Sequence, residues 1–590
     1  MNMKLSKGAA GAAALAAVVG VLSAPTGCDR ALTRGRKPPP GGVAGNGGGA
    51  AGNGGATTGA TGGAAGAGGI AACDSTDAVP PKRIVRLSFN QIATAIGDLL
   101  GPEIGDLVSR QLEIDTGEVA SARYVPPLGN PREGVVYTDN TWAAADRIAQ
   151  RAAQAVLEGF ASVTRCGDDP TVECGRAFLL DFAQRAYRRP LTADEGQSLL
   201  AVYEETRAVL GNVKEGVQNA VQAVLEAPEF LYRTELGSDG NRAGPLAPYE
   251  LASALAFFLT NGPPDPELLD AAAGGRLATD AEVVAQATRL LGSDRVRQNL
   301  EAVMASYFSV PNIDQVVLDS TVVGFNLPRA SLKGEAMRFL HDTLWGATIP
   351  DLLTSRRSRI DASLAGIYGV AFPPPGAILD QDGFAPVELP ATRSGLLTQP
   401  AILVARARPS GGQIVGRGLT VRSSLLCGIT PAADNVTDPA PPPPEGTDTQ
   451  KANARIAMPL CGQCHAGFDP YGIALEHFDL IGRFRDVDEG GRPIDSSTVL
   501  PPLSGSAAVS DAVSLGRELV KGDRFVACLT QNLLVYALMA VESFSKATPE
   551  SCANRALLAT LGAGPVHFAD LIRQITLSPA FRQRGAGGAP

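Results

Sequence analysis

RLSFNQIATAIGDLLG, residues 86–101, spells out the start of an amphipathic helix. Ser88 and Gln91 have capping-box spacing: the serine hydroxyl accepts from the Gln91 backbone N–H, and the glutamine side chain reaches back to the N–H of Ser88. Ile92, Ala95, Ile96 and Leu99 then recur at the period that keeps one helix face apolar. The same grammar repeats along the chain. Thr192 with Glu195 and Thr279 with Glu282 make two more boxes. Asp265-Pro266 puts a cap before a proline at the first helical position, and Gly274-Gly275 closes that helix. Periodicity predicts helices near 142–159, 176–187, 193–209, 214–227, 249–259, 281–291, 296–307, 331–345, 413–426, 523–540 and 566–577. Strand signals are thin. Short runs near Val387 and Val499 are candidates for local pairing, and 360–390 reads as irregular loop. The fold class is therefore mostly α. A helical body of roughly 500 residues exceeds what one core usually supports, so a multi-subdomain body is expected. Its boundaries fall at 83–160, 161–235, 236–325, 326–500 and 501–590.

The region before that body is of a different kind. Lys4 and Lys7 precede an apolar stretch, Gly8 to Ser23, and then Ala24-Pro25-Thr26-Gly27-Cys28. This is the pattern of a secretory signal, too short and too rich in small residues for a membrane span. Gly27-Cys28 resembles a bacterial lipobox, with Pro25 where that motif prefers leucine, so residues 1–28 are read as a signal peptide with Cys28 as the lipidated residue. The mature chain is then exported, as a periplasmic or outer-membrane/cell-surface lipoprotein held to the membrane by its lipid anchor. Residues 29–82 form a Gly/Ala/Pro-rich linker that can bury no core. A second proline-rich break, Pro439 to Pro444, marks a stiff connector.

That connector leads to Cys461-Gly462-Gln463-Cys464-His465, in a chain with nine cysteines and four histidines. C-x-x-C-H is the attachment pattern of covalent haem c: two thiols add to the haem vinyl groups, and the adjacent histidine becomes the proximal iron ligand. Cys461, Cys464 and His465 are thus the candidate cofactor-binding residues. A Cys461–Cys464 disulfide and a structural zinc half-site are the competing readings. Zinc would have to recruit Cys427, Cys528 or His477, because no second C-x-x-C or H-x-x-x-H is present. Setting aside Cys28, Cys461 and Cys464 leaves six cysteines, enough for three bridges in an oxidising compartment. Cys166 with Cys174, around a short polar loop, is the best-placed pair; Cys528 with Cys552 is the next.

A sixth iron ligand is open. Met539 and His477 are weak candidates, since a methionine at helical spacing usually packs a core; His341 and His567 are weaker still. Met458 is too close to Cys461 to arch over the opposite haem face. Arg483 and Arg485 could bond haem propionates, against the plainer reading that they and Glu476 and Asp479 form a salt-bridged surface. Asp469-Pro470 reads as a turn. No nucleophile elbow, phosphate loop or His-Glu-x-x-His appears, so no catalytic residue is assigned. A net charge of −9 and a pI near 5.2 argue against a nucleic-acid partner, despite the small basic spot Arg188-Arg189-Pro190.

Several stretches carry a family resemblance: RLSFNQIATAIGDLLG at 86–101, FAQRAYRRPLTADE at 182–195, VLEAPEFLYRTE at 224–235, and LAPYELASALAFFLTNGPPDPELLDAAAGGRL at 246–277. RSGLLTQPAIL at 393–403, LCGQCHAGFDPYGIALEHFDLIGRFRD at 460–486 and CLTQNLLVYAL at 528–538 continue it. In these the chain resembles large secreted planctomycete and myxobacterial proteins built from serial domains of unknown function, including a planctomycete-type cytochrome c-like domain. The resemblance implies a C-terminal cytochrome c-like helical domain, here 326–500, and electron transfer with an unidentified redox partner. The alternatives are a haem-free extracellular binding or scaffold protein, or an oxidoreductase with the haem as its electron port.

Overall fold

The structure is a computed structural model, and it describes residues 79–116, 139–238, 242–318, 327–405, 407, 412–429, 445–539, 551–562 and 564–585. The signal, Cys28, most of the linker and the Pro439–Pro444 break lie outside the described residues.

The protein is mostly α, as its periodicity requires. Ser88 and Gln91 form the capping box of helix Phe89–Leu100, and Thr192 and Glu195 do the same for Ala193–Leu210. At Asp280–Leu291 the box is only half made. Thr279 caps the helix, but the Glu282 carboxylate accepts from Gln286 and Arg276 instead of reaching back. The long helices follow the apolar repeat closely, among them Val172–Tyr187, Val213–Glu226, Asp294–Tyr307 and Arg329–Gly346. The helix expected over 413–426 is α only at Ile414–Leu419, then widens to a π turn over Thr420–Leu425. The 360–390 region is more ordered than its composition suggests: it holds helix Ala362–Tyr368 and strand Ala385–Glu388, the latter paired antiparallel with Arg357–Ile360. Val499 pairs with Ala508 in a second short ribbon.

Two large cores result. One gathers Ile96, Val108, Val156, Phe182 and Val221 from helices between 89 and 226. The other runs from Leu246 to Phe581. Helix Pro248–Thr260 lies between them: Leu251 through Leu259 are all buried, and Phe257 joins the first core while its neighbours join the second. A helix apolar on every side is one with partners on every side.

A buried ionic knot closes this junction. Strand Arg83–Arg86 pairs with Tyr232–Glu235, and Gly244–Pro245 pairs with Gln583–Arg584. The Glu235 carboxylate therefore meets Arg83 at 2.6 Å, Arg233 at 3.2 Å and the Arg584 Nε at 2.8 Å. Burial pushes the Glu235 carboxyl up, but Arg83, Arg233 and Arg584 outweigh it and hold it at about 2.

Candidate functional site

The C-x-x-C-H turn is a short helix, Gly462–His465, entered through Cys461 in helical backbone geometry. Two glycines set its depth. A β-carbon at Gly472 would sit 1.9 Å from the Ile414 carbonyl oxygen, and one at Gly418 would sit 2.1 Å from that of Phe468. Backbone thus packs directly on backbone, and Ile414, Ala452 and Ile473 make a small core of their own beneath the motif.

His465 is buried against the Phe468 ring, with ring centroids 4.9 Å apart. Its Nδ1 lies 3.0 Å from Oδ2 of Asp469, one helical turn on, and Arg455 donates to the same oxygen at 2.9 Å. Asp469 is fully buried and its Oδ1 has no hydrogen-bond partner. The turn expected at Asp469-Pro470 is the start of helix Asp469–Ile473, with the aspartate turned inward. A carboxylate on Nδ1 makes that nitrogen the donor and leaves the Nε2 lone pair for a metal. Sequence reasoning missed this residue, although His-x-x-x-Asp carries the right i, i+4 spacing.

The sulfurs divide. Cys464 is a free, half-buried thiol, so the Cys461–Cys464 disulfide of the rival reading is not formed. Cys461 is in a disulfide, as is Cys552. Cys166 is joined to Cys174, and Cys528 to Cys427 rather than to Cys552. The Cys528–Cys552 expectation fails because the thiol of Cys528 faces the end of the π turn, where Cys427 waits with a positive φ.

The other candidates are committed elsewhere. The Met539 sulfur accepts from Gln91 Nε2 at 3.4 Å, at the far end of helix Arg524–Ala537. At about 1.5 Å per residue that is roughly 16 Å along the axis from Cys528. His477 stacks on Phe484 and bonds the Arg485 carbonyl oxygen at 2.8 Å through Nδ1. His341 bonds Glu301, and His567 bonds the Ala347 carbonyl. Arg483 and Arg485 are paired with Asp479 at 2.7 Å and Glu476 at 2.9 Å, so the salt-bridged reading describes them. Glu476 is buried, which raises its carboxyl to about 7 against the pull of Arg417 and Arg485.

Two buried arginines tie the surrounding segments to the motif. The Arg393 guanidinium lies between the Tyr368 and Phe478 rings, 4.6 and 4.7 Å from their centroids, and donates to the carbonyls of Thr398 and Gly482. Arg417 donates to the carbonyls of Leu475, Phe478 and Asp479.

Three family models match in series. PSD5, a protein of unknown function (DUF1595), covers 174–235; PSD4, a protein of unknown function (DUF1592), covers 246–370. PSCyt3, a protein of unknown function (DUF1588), covers 393–488 and so contains Arg393, Arg417 and the whole C-x-x-C-H turn. Together they define a class, the mostly helical multi-domain chains assembled from such units. This chain is of that multi-domain family, and the family's function is unknown. No curated protein and no solved structure matches it.

The donor set around the turn fits a c-type haem. A helical C-x-x-C-H, a free Cys464 and a histidine oriented by a carboxylate are the groups such a haem takes. Nine buried side-chain N and O atoms between Arg393 and Arg485 also lack hydrogen-bond partners, Asp469 Oδ1 and Glu476 Oε2 among them. One condition is attached: the second thioether requires Cys461 as a thiol, so a dithiol reductant must first supply two electrons and two protons to open its disulfide.

Proposed function

We propose that this chain is an exported, lipid-anchored haem c protein that passes electrons to a redox partner outside the cytoplasm. The observation that carries the reading is the Asp469–His465 pair: a fully buried carboxylate 3.0 Å from Nδ1 of the histidine that directly follows the free Cys464. Asp469 holds the Nδ1 proton, fixes the ring and keeps Nε2 as the ligating nitrogen. Arg455 donates to the same carboxylate oxygen and sets a cation against the buried Asp469. Cys464 and the reduced Cys461 would anchor the cofactor, and His465 would ligate its iron. Bound there, the haem supplies one-electron redox chemistry. The name of the PSCyt3 family and the signal-like N-terminus support the reading.

The test is expression of the mature chain in a periplasm with c-type haem maturation, followed by a reduced pyridine haemochrome spectrum. A two-thioether band that shifts in Cys461→Ala and falls in Cys464→Ala is the expected result. A colourless protein with Cys461 still in a disulfide would sink the proposal. The haem-free binding or scaffold reading, which the Cys461 disulfide favours, would then replace it.

A further inference from the structure

A cleft of about 450 Å³ opens where the two large cores meet, well away from the C-x-x-C-H turn in sequence. Its wall is aromatic, with Tyr187, Tyr232 and Tyr249 lining it, and its cationic side chains are Arg188, Arg189 and Arg233. The junction between domains is a preferred place for a small-molecule site.

The charge at the base of this cleft is only partly compensated. Arg188 and Arg233 are both buried, their guanidiniums 5.7 and 5.8 Å from the centroid of the same Phe257 ring. Arg188 donates to four backbone carbonyls, those of Ala186, Glu229, Phe230 and Tyr232, and to no carboxylate among the described residues. Arg233 shares one carboxylate, Glu235, with Arg83 and Arg584, and its Nε is buried without a hydrogen-bond partner. Burial first, then repulsion from Arg233 and Arg189, lowers Arg188 to about 9. A buried cation without an anion is costly unless something supplies the charge.

The acids lining the cleft do not supply it. Glu250 accepts from the backbone N–H groups of Leu236, Gly237 and Ala247. Arg189, at the edge, is held bidentate by Glu195 at 2.7 and 2.8 Å. Glu229 also lines the cleft, and its negative charge disfavours a polyanion. What fits is one anionic head on a flat apolar body.

We propose that the cleft between the two cores binds a small organic monoanion, its carboxylate or sulfate oxygens toward Arg233 and Arg188 and its body against Tyr187, Tyr232 and Tyr249. Arg188-Arg189-Pro190, a small basic spot in the sequence, is then the cationic end of a ligand site. The proposal stands independently of haem.

The test titrates the full mature chain with benzoate and with phenyl sulfate, by calorimetry and thermal midpoint, against neutral benzamide and against sodium sulfate at matched ionic strength. Saturable binding of benzoate, phenyl sulfate or both, at least tenfold tighter than benzamide, is expected, and the responding arm tells carboxylate from sulfate chemistry. Arg233→Met should abolish it. Because that change also touches the Glu235 knot, Tyr249→Ala at the half-buried wall is the second variant, expected to weaken binding at least tenfold while the ligand-free chain, though it loses some packing, still unfolds cooperatively. Benzamide binding as well as benzoate, sodium sulfate reproducing the whole shift, neither aryl anion binding, or Tyr249→Ala retaining full affinity would each overturn the proposal.

Discussion

Replacing Glu235 by glutamine should unfasten the strands Arg83–Arg86 and Gln583–Arg584 from the junction in a way that pH reports. The carboxyl sits at about 2 in the folded protein against an ordinary 4.5. At 1.36 kcal/mol per unit, that difference stabilises the fold by about 3 kcal/mol. Because the folded value is depressed, the stabilisation is complete above the unfolded value and fades as pH falls through the folded one. Glu235→Gln also strands Arg83, Arg233 and Arg584 around a neutral amide, and breaking a buried pair of this kind costs about 3–5 kcal/mol. The assay is urea unfolding followed by far-UV circular dichroism, on parent and variant, from about pH 7 down to about pH 2. The gap between them should be widest near neutrality and shrink by about 3 kcal/mol over the acid limb. A gap that stays constant across that range would refute the reasoning, because it would mean that Glu235 titrates alike in the folded and unfolded chain.

The opposite pH sign is expected at Glu335, whose carboxyl burial raises to about 7 despite hydrogen bonds from Tyr368 and Ser358. Its protonated form is favoured in the fold, so this contribution is whole below about 4.5 and lost as pH rises through 7; Glu335→Gln should gain up to about 3 kcal/mol on the parent over that span, read by the same unfolding series. Cys427→Ser should cost roughly 4–5 kcal/mol on the chain-entropy account, since the bridge to Cys528 spans 101 residues; a thermal midpoint unchanged from the parent would contradict it. Gly472→Ala forces a β-carbon to 1.9 Å from the Ile414 carbonyl and should destabilise by about 1–3 kcal/mol or more, with proteolysis near the C-x-x-C-H turn as the local readout; unchanged resistance would count against the packing described.

Much of the helical layout was legible because its signals are local. A capping box needs only Ser88 and Gln91, and the helix behind it needs only apolar residues at fixed spacing. Helix Asp448–Ala457 shows how such a signal can be passed over. Thr447 and Gln450 form a full box, but they stand beside a proline-rich break that draws attention to the linker instead. The π turn at Thr420–Leu425 has no comparable mark, since local sequence does not distinguish a five-residue hydrogen-bond register from a four-residue one.

The sequence by itself determined the mostly α class, the capping boxes at Ser88 and Thr192, and the Cys166–Cys174 bridge across eight residues. Each depends on groups within a few positions of one another, where chain geometry leaves few choices. Only the tertiary structure decided that Asp469 turns inward to His465, that Cys528 pairs with Cys427, and that Arg584 reaches Glu235 across 349 residues. Those partners are selected by which faces the cores bury together. A charge or a thiol carries no mark of its distant partner until packing has taken both out of water.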